Sequence, residues 1–299
     1  MKAIVIGANS RLARAFVMAS AKTGIEVVRV QRREADRSAL GRVEVVASYD
    51  RLPGSLFAGV TSIVNCVGRP VAAPGSSLKE VNSDIPVSVA RQGLDHGVRH
   101  FVQVSSLSVF GRATHVDHTT PLRPTTLYGQ TKLEAEQRLL AMRNNGLELA
   151  LVRVPMIYGP GVSSKLENLA RLADLLGWLP AVTSRPKRSF AHIDNAAAAL
   201  VFIVSGNVAG SFFATDREPF EVEVLAAACA TAGRRRPRIV RIPDIALLPL
   251  RICAPPLHGS LFESSVVVEN ANLCQAIEIP KSLMAGLVEV VESLAPWRS

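Results

Sequence analysis

Six short runs rich in β-branched residues, at 3–6, 25–30, 43–46, 62–65, 100–104 and 148–154, recur along the chain with helical patterns between most of them. Apolar runs without polar alternation read as strands buried on both faces. The helical patterns cover 10–22, 81–95 and 126–143, and each is closed by a glycine: Gly24, Gly97 and Gly146. This alternation predicts an α/β fold, a doubly wound parallel sheet with helices on both faces. Beyond Gly159-Pro160-Gly161 it weakens. Helical patterns at 164–176, 194–204 and 280–294, joined by proline-rich connections, predict a smaller, mostly helical lobe. The expected division gives 1–161 to the sheet domain, returns 189–215 to it, and assigns 162–188 and 216–299 to the lobe.

The chain has 299 residues, of which 48% are apolar and 20% charged, enough for a sizeable core and unlike a disordered or disulfide-stapled chain. Cys66, Cys229, Cys253 and Cys274 lie far apart, with no CxxC pair, so no disulfide framework or zinc site is encoded and a reduced, cytoplasmic compartment is expected. The first apolar run is only four residues long before Gly7, and Arg11 and Arg14 follow closely, unlike a signal peptide. No apolar stretch is long enough to span a bilayer. The net charge of +9 is carried mainly by arginine, clustered at 31–33, 185–188 and 234–238 without interleaved aromatics. That pattern disfavours nucleic acid and suits small anionic ligands.

The run 3–6 leads through Gly7-Ala8-Asn9-Ser10-Arg11-Leu12-Ala13 into a helical pattern, the place where a Rossmann fold lays a pyrophosphate on a helix amino terminus. Of a GxxGxxG pattern only Gly7 remains, with Ser10 and Ala13 at the other two places. The Ser10 hydroxyl is expected to donate to a phosphate, although this segment alone is equally a plain strand–helix turn. Gly7, Asn9, Ser10, Arg11 and Leu12 are the candidate contacts. The second strand ends in Gln31-Arg32-Arg33, with no acid before Glu34, so Arg32 and Arg33 favour NADP(H) over NAD(H), unless they form only a solvated basic turn. At the end of the fifth strand stands Ser106, and 22 residues further on comes Tyr128-Gly129-Gln130-Thr131-Lys132. One helical turn puts Tyr128 and Lys132 on one face. A helix amino end and an ammonium would both lower the phenol's pKa, fitting it for proton exchange, while Ser106 bonds the reacting oxygen.

With these residues in order, the chain resembles the extended short-chain dehydrogenase/reductase family, which includes nucleotide-sugar epimerases, dehydratases and reductases. The matches are GANSRLA, Asn65-Cys66-Val67-Gly68, FVQVSSLSVFG, YGQTKLEAEQ, RVPMIYGPG and RSFAHIDN. The resemblance implies that Ser106, Tyr128 and Lys132 are catalytic and that Lys132 also holds the nicotinamide ribose. It implies further that Cys66, Val67, Gly68, Pro155 and Met156 line the cofactor and that Arg188 meets the substrate's diphosphate. Lys165 stands where the most similar members carry asparagine, and Phe110 where they carry tyrosine. Leu107 and Ser108 replace the Asp-Glu pair of dehydratases, which argues against dehydration. The expected function is an NADP(H)-preferring 4-ketoreductase of a UDP- or dTDP-hexose in polysaccharide precursor synthesis, akin to reductases forming UDP-N-acetylquinovosamine. The alternatives are a UDP-sugar 4-epimerase that retains NAD, and a non-catalytic dinucleotide-binding scaffold or sensor. A homodimer is compatible with the family; no metal is expected.

Overall fold

A computed structural model describes residues 1–32, 42–162, 165–247 and 264–294. In chain order the elements are β1 (Lys2–Ile6), α1 (Arg11–Ser20), β2 (Glu26–Gln31), β3 (Arg42–Val45), β4 (Ser62–Asn65), α2 (Ile85–Asp95), β5 (His100–Ser106), β6 (His115–Val116) and α3 (Leu127–Ala141). They continue with β7 (Glu148–Val154), β8 (Met156–Tyr158), α4 (Lys165–Leu176), β9 (Trp178–Val182), β10 (Phe190–His192), α5 (Ile193–Ser205), β11 (Gly210–Phe213) and α6 (Val222–Thr231). The last are β12 (Arg238–Ile242), β13 (Val266–Val267), α7 (Leu273–Ala276) and α8 (Leu283–Ser293).

Seven parallel strands form the central sheet in the order β11-β7-β5-β4-β1-β2-β3. Strand β1 is central because both of its faces are apolar. Ala3 and Val5 pack with Phe16 and Val17 of α1 and with Leu200 and Ile203 of α5. Ile4 and Ile6 pack on the other face with Val89 of α2 and Leu139 of α3. The predicted doubly wound sheet is therefore present, with one strand more than the six runs announced. That strand, β11, reads Gly-Ser-Phe-Phe and lacks the β-branched signature; it forms because β7 offers it an edge. The switch in strand order falls between β1 and β4, which opens a crevice at the carboxyl ends of the strands, where ligands of such sheets bind.

A second cluster joins α4, α6 and α8 through Leu166, Leu225 and Leu287, with Tyr158, Leu179 and Phe190. This region is less purely helical than the proline-rich sequence suggested, since β9 pairs with β12 and β8 with β10. Helix α2 also differs from the single pattern predicted over 81–95. Pro86 has no N–H to donate, and a π-helical turn, Glu80–Asp84, precedes the regular helix. Among the described residues, no helix is long and apolar enough to cross a membrane, and no cluster of His, Cys, Asp and Glu could hold a metal ion.

Candidate active site

The crevice begins at the turn after β1. Gly7 has φ +77, and a Cβ there would stand 2.9 Å from Val67 Cγ2 and 3.0 Å from the Val67 nitrogen, so only glycine lets the turn close on the segment after β4. Ser10 caps α1: its Oγ accepts from the Ala13 N–H at 3.2 Å. The donation to a phosphate expected from the sequence would be a second duty for a hydroxyl whose oxygen is already engaged in holding the helix. Leu12 is buried in the core beneath, which leaves only its backbone to face a ligand. Asn9 and Arg11 are exposed, and Arg11 reaches so close to Gly161 that a Cβ there would meet its Nη1 at 2.9 Å.

At the end of β2, the Arg32 guanidinium lies over the Tyr49 ring, 5.3 Å from its centroid. Arg33 lies outside the described residues. Cys66 and Val67 are buried beside the Gly7 turn, and burial pushes the Cys66 thiol up to about 12, so it is an inert wall rather than a nucleophile. Gly68 is exposed and lies against Lys132, whose Nζ would be 2.8 Å from a Cβ at that position.

Ser106 ends β5 and Tyr128 lies in the first turn of α3, whose amino end is capped by Thr126 Oγ1 accepting from the Gly129 N–H at 3.1 Å. Gly129 permits the close approach: a Cβ there would be 2.5 Å from the Ser108 carbonyl oxygen. Helix α3 is thereby seated against the turn after Ser106, which brings the Ser106 hydroxyl near enough to Tyr128 to act on its pKa. Burial raises the Tyr128 pKa, opposite to the direction expected from the helix end and the lysine, and the Ser106 hydroxyl only partly offsets it. Lys132 is fully buried one turn on. Its Nζ donates to the Val104 carbonyl at 3.0 Å, and burial lowers its pKa to about 8 against the neighbouring Cys66 and Glu136, which raise it.

One part of this scaffold lies within the YGQTKLEAEQ and RVPMIYGPG matches, yet sequence reasoning gave its residues no role. Glu136, a turn beyond Lys132, is buried and accepts from Arg153 Nη2 at 2.7 Å and Nε at 3.1 Å, and from Ser105 Oγ at 2.5 Å. Arg153 in turn lies under Phe110, 5.2 Å from the ring, which gives the phenylalanine at that place a packing role. A charged pair joining α3, β5 and β7 beside Ser106 is the only legible hint, and its residues are 17 apart in sequence.

Pro155 and Met156 follow β7 and are half-buried at the crevice end; Met156 pairs with Phe190. Arg188 lies just before β10 and is bridged to Phe220 and Ser265 by backbone pairing. Lys165 opens α4. Partial burial, and then the Arg188 charge, holds its ammonium below the usual lysine range, which puts the two cations within electrostatic reach of one another. Behind them, Asp216 accepts from the Tyr158 hydroxyl at 2.7 Å, the Asn195 amide at 2.7 Å and the His192 N–H at 2.9 Å, tying β8 and β10 to α5.

The parallel sheet, the glycine turn on its central strand and the serine, tyrosine and lysine at its carboxyl edge define a doubly wound fold of the Rossmann type. The chain belongs to the NAD dependent epimerase/dehydratase family, whose model matches residues 3–211. It is 33% identical over 149 residues to a UDP-glucose 4-epimerase of Vibrio cholerae, a match covering 45% of each chain, and it spans about half the length of the curated relatives it matches. Its fold is that of the UDP-glucuronic acid 4-epimerase of Bacillus cereus in complex with NAD (TM-score 0.75, 15% identity, 98% of this chain and 96% of that one). The UDP-glucose 4-epimerase of Thermus thermophilus, also with NAD, is about as similar (TM-score 0.74, 16% identity, 98% of each chain).

Proposed function

We propose that this chain is an oxidoreductase acting at C4 of a nucleotide-activated hexose, a 4-ketoreductase that prefers NADP(H) and accepts NAD(H). The observation that carries the reading is the juxtaposition of Ser106, at the end of β5, and Tyr128, in the first turn of α3, with Lys132 one turn beyond. The residues present fit a dinucleotide: Gly7 leaves a turn that a Cβ would fill, and Gly68 leaves space over the Lys132 ammonium. Gly7, Asn9, Ser10, Arg11 and Leu12 would hold its pyrophosphate, Arg32 and Arg33 its adenosine end, and Cys66 to Gly68, Pro155 and Met156 its nicotinamide half. When bound, a nicotinamide supplies or receives a hydride.

The chain's own residues handle the proton. Tyr128 Oη gives a proton to the C4 oxygen in reduction, or takes it in oxidation, and Ser106 Oγ holds that oxygen and the phenol in line. Lys132 contributes a positive charge on the same helix face, which favours the tyrosinate as the proton leaves. Met156 and Pro155 close one side of the crevice. Lys165 and Arg188 meet the substrate's diphosphate from separate segments.

The second reading is a UDP-sugar 4-epimerase that keeps NAD, favoured by the relative from Vibrio cholerae. The two are separated by stoichiometry: a reductase consumes one reduced dinucleotide for each sugar, whereas an epimerase consumes none, which the nicotinamide absorbance reports directly. A non-catalytic scaffold or sensor would not need the full Ser106, Tyr128 and Lys132 set. Arg188→Ala is expected to raise KM for a UDP- or dTDP-sugar about tenfold or more with kcat little changed, because uniform binding energy is lost. In parallel, UDP at millimolar concentration should raise the melting temperature of the unmodified chain. No shift with UDP, dTDP or GDP in the presence of dinucleotide would remove the nucleotide-sugar substrate.

A further inference from the structure

Of the 13 residues of α5 only Asp194, Asn195 and Ser205 are polar, and a helix apolar all round is normally enclosed on all sides. Its inner face is enclosed: Ala196, Ala199, Leu200 and Ile203 pack with Phe16 and Val17 of α1 against the sheet. Its outer face is not. Phe202 is 45% exposed, and Met18 on the neighbouring α1 is 64% exposed. Both helices lead into strands of the parallel sheet, so they run side by side in one direction from its carboxyl edge. The segment 277–280 flanks α5 as well, held at the amino end of that helix by the Lys281 backbone, whose N–H donates to Asn195 Oδ1 at 3.0 Å and whose carbonyl accepts from Asn195 Nδ2 at 2.8 Å. Together the three enclose an open groove of about 1310 Å³ whose apolar lining includes Met18, Ala198, Val201, Phe202 and Ile279.

The charges on its rims are sorted. Arg14 on α1 and Lys22 just beyond its end stand on one wall, Glu278 on the other, with Asp194 at the start of α5. Among the described residues Arg14, Lys22 and Glu278 have no ion-pair partner. A polyanion or an acidic membrane would meet Glu278 and Asp194 with its own charge, and a partner of one sign would satisfy one rim and oppose the other. A second copy related by a two-fold axis along α5 satisfies both, because the α1 wall of each copy then lies over the 277–280 wall of the other. The levels agree. Arg14 lies about one turn along α1, and Glu278 lies near the amino end of α5; Met18 and Phe202 both lie about two turns along their helices.

We propose that this groove is the interface of a two-fold homodimer, in which α5 of one copy packs on α5 of the other. Met18 and Phe202 fill its centre, Ala198 lets the helices approach, and Arg14 of each copy pairs with Glu278 of the other. The interface lies on the face of the sheet opposite α3 and is independent of the reaction proposed above.

The test is sedimentation velocity of the full chain over a range of concentrations. The unmodified chain should sediment as a dimer at micromolar concentration. Phe202→Glu and Met18→Glu should each weaken the dimer about a hundredfold or more, because each places an unpaired carboxylate at the centre of the contact. Arg14→Glu and Glu278→Arg should each weaken it about tenfold by facing like charges, and the chain carrying both should return to within about threefold of the original, because opposite charges meet again. All four side chains are exposed in the single copy, so the dilute variants should melt with the dilute unmodified chain. A chain that stays monomeric up to millimolar concentration overturns the proposal. So does a dimer left intact by Phe202→Glu and Met18→Glu, since another face then holds it, and so does a charge exchange that recovers nothing.

Discussion

Tyr128→Phe should lower turnover by two or more orders of magnitude while leaving dinucleotide affinity within a small factor, since general acid–base catalysis is typically worth about 10²–10⁴-fold. The substitution keeps the ring and its packing in the first turn of α3 and removes only the hydroxyl that stands near Ser106. Burial holds the phenol above its ordinary pKa in the free chain, so the protonated form dominates at neutral pH. That suits a proton donor in reduction, and the reverse reaction should accelerate as pH rises toward the phenol's own pKa. Single-turnover rates, with dinucleotide affinity measured separately, check the prediction. Near-normal turnover in the variant would show that another group moves the proton.

Arg153→Met should destabilise the fold by about 3–5 kcal/mol, the usual cost of leaving one partner of a buried ion pair without its counter-charge. Glu136 is fully buried, and Arg153 supplies two of the three hydrogen bonds it accepts. Urea unfolding would read this as a lower midpoint with an unchanged slope. Replacing Glu136 by Leu in the same chain should recover most of the loss, because the stranded carboxylate is then gone. A single variant within about 1 kcal/mol of the original would mean that water or backbone rearrangement satisfies Glu136. The consequence also reaches the site: the Ser105 hydroxyl donates to Glu136, and Ser106 is the next residue. The destabilised chain should therefore lose turnover beyond what its folded fraction explains.

The cofactor end shows where legibility stopped. Gly7 and Lys132 could be named because their chemistry is local, a positive φ in one case and a helical spacing in the other. Gln31 was visible only as a missing acid, because the burial of its side chain is a property of everything packed around it. The Tyr128 phenol gave the opposite lesson. Helix position and lysine spacing predicted a lowered pKa, but burial prevails and Lys132 is turned to the Val104 carbonyl.

Periodicity and glycine stops by themselves determined six of the seven sheet strands, the helices that flank them and the glycine turn after β1, and one-turn spacing put Tyr128 and Lys132 on one face of α3, because strand burial, capping and helical spacing are written within a few consecutive residues. Only the tertiary structure decided the rest. It recruited Gly210–Phe213 as the edge strand, joined Glu136 to Arg153, brought Lys165 within reach of the Arg188 charge and sealed Gln31 without a partner among the described residues. Each of these depends on which distant surfaces meet when the sheet closes, and no local pattern encodes a contact whose two halves are far apart in the chain.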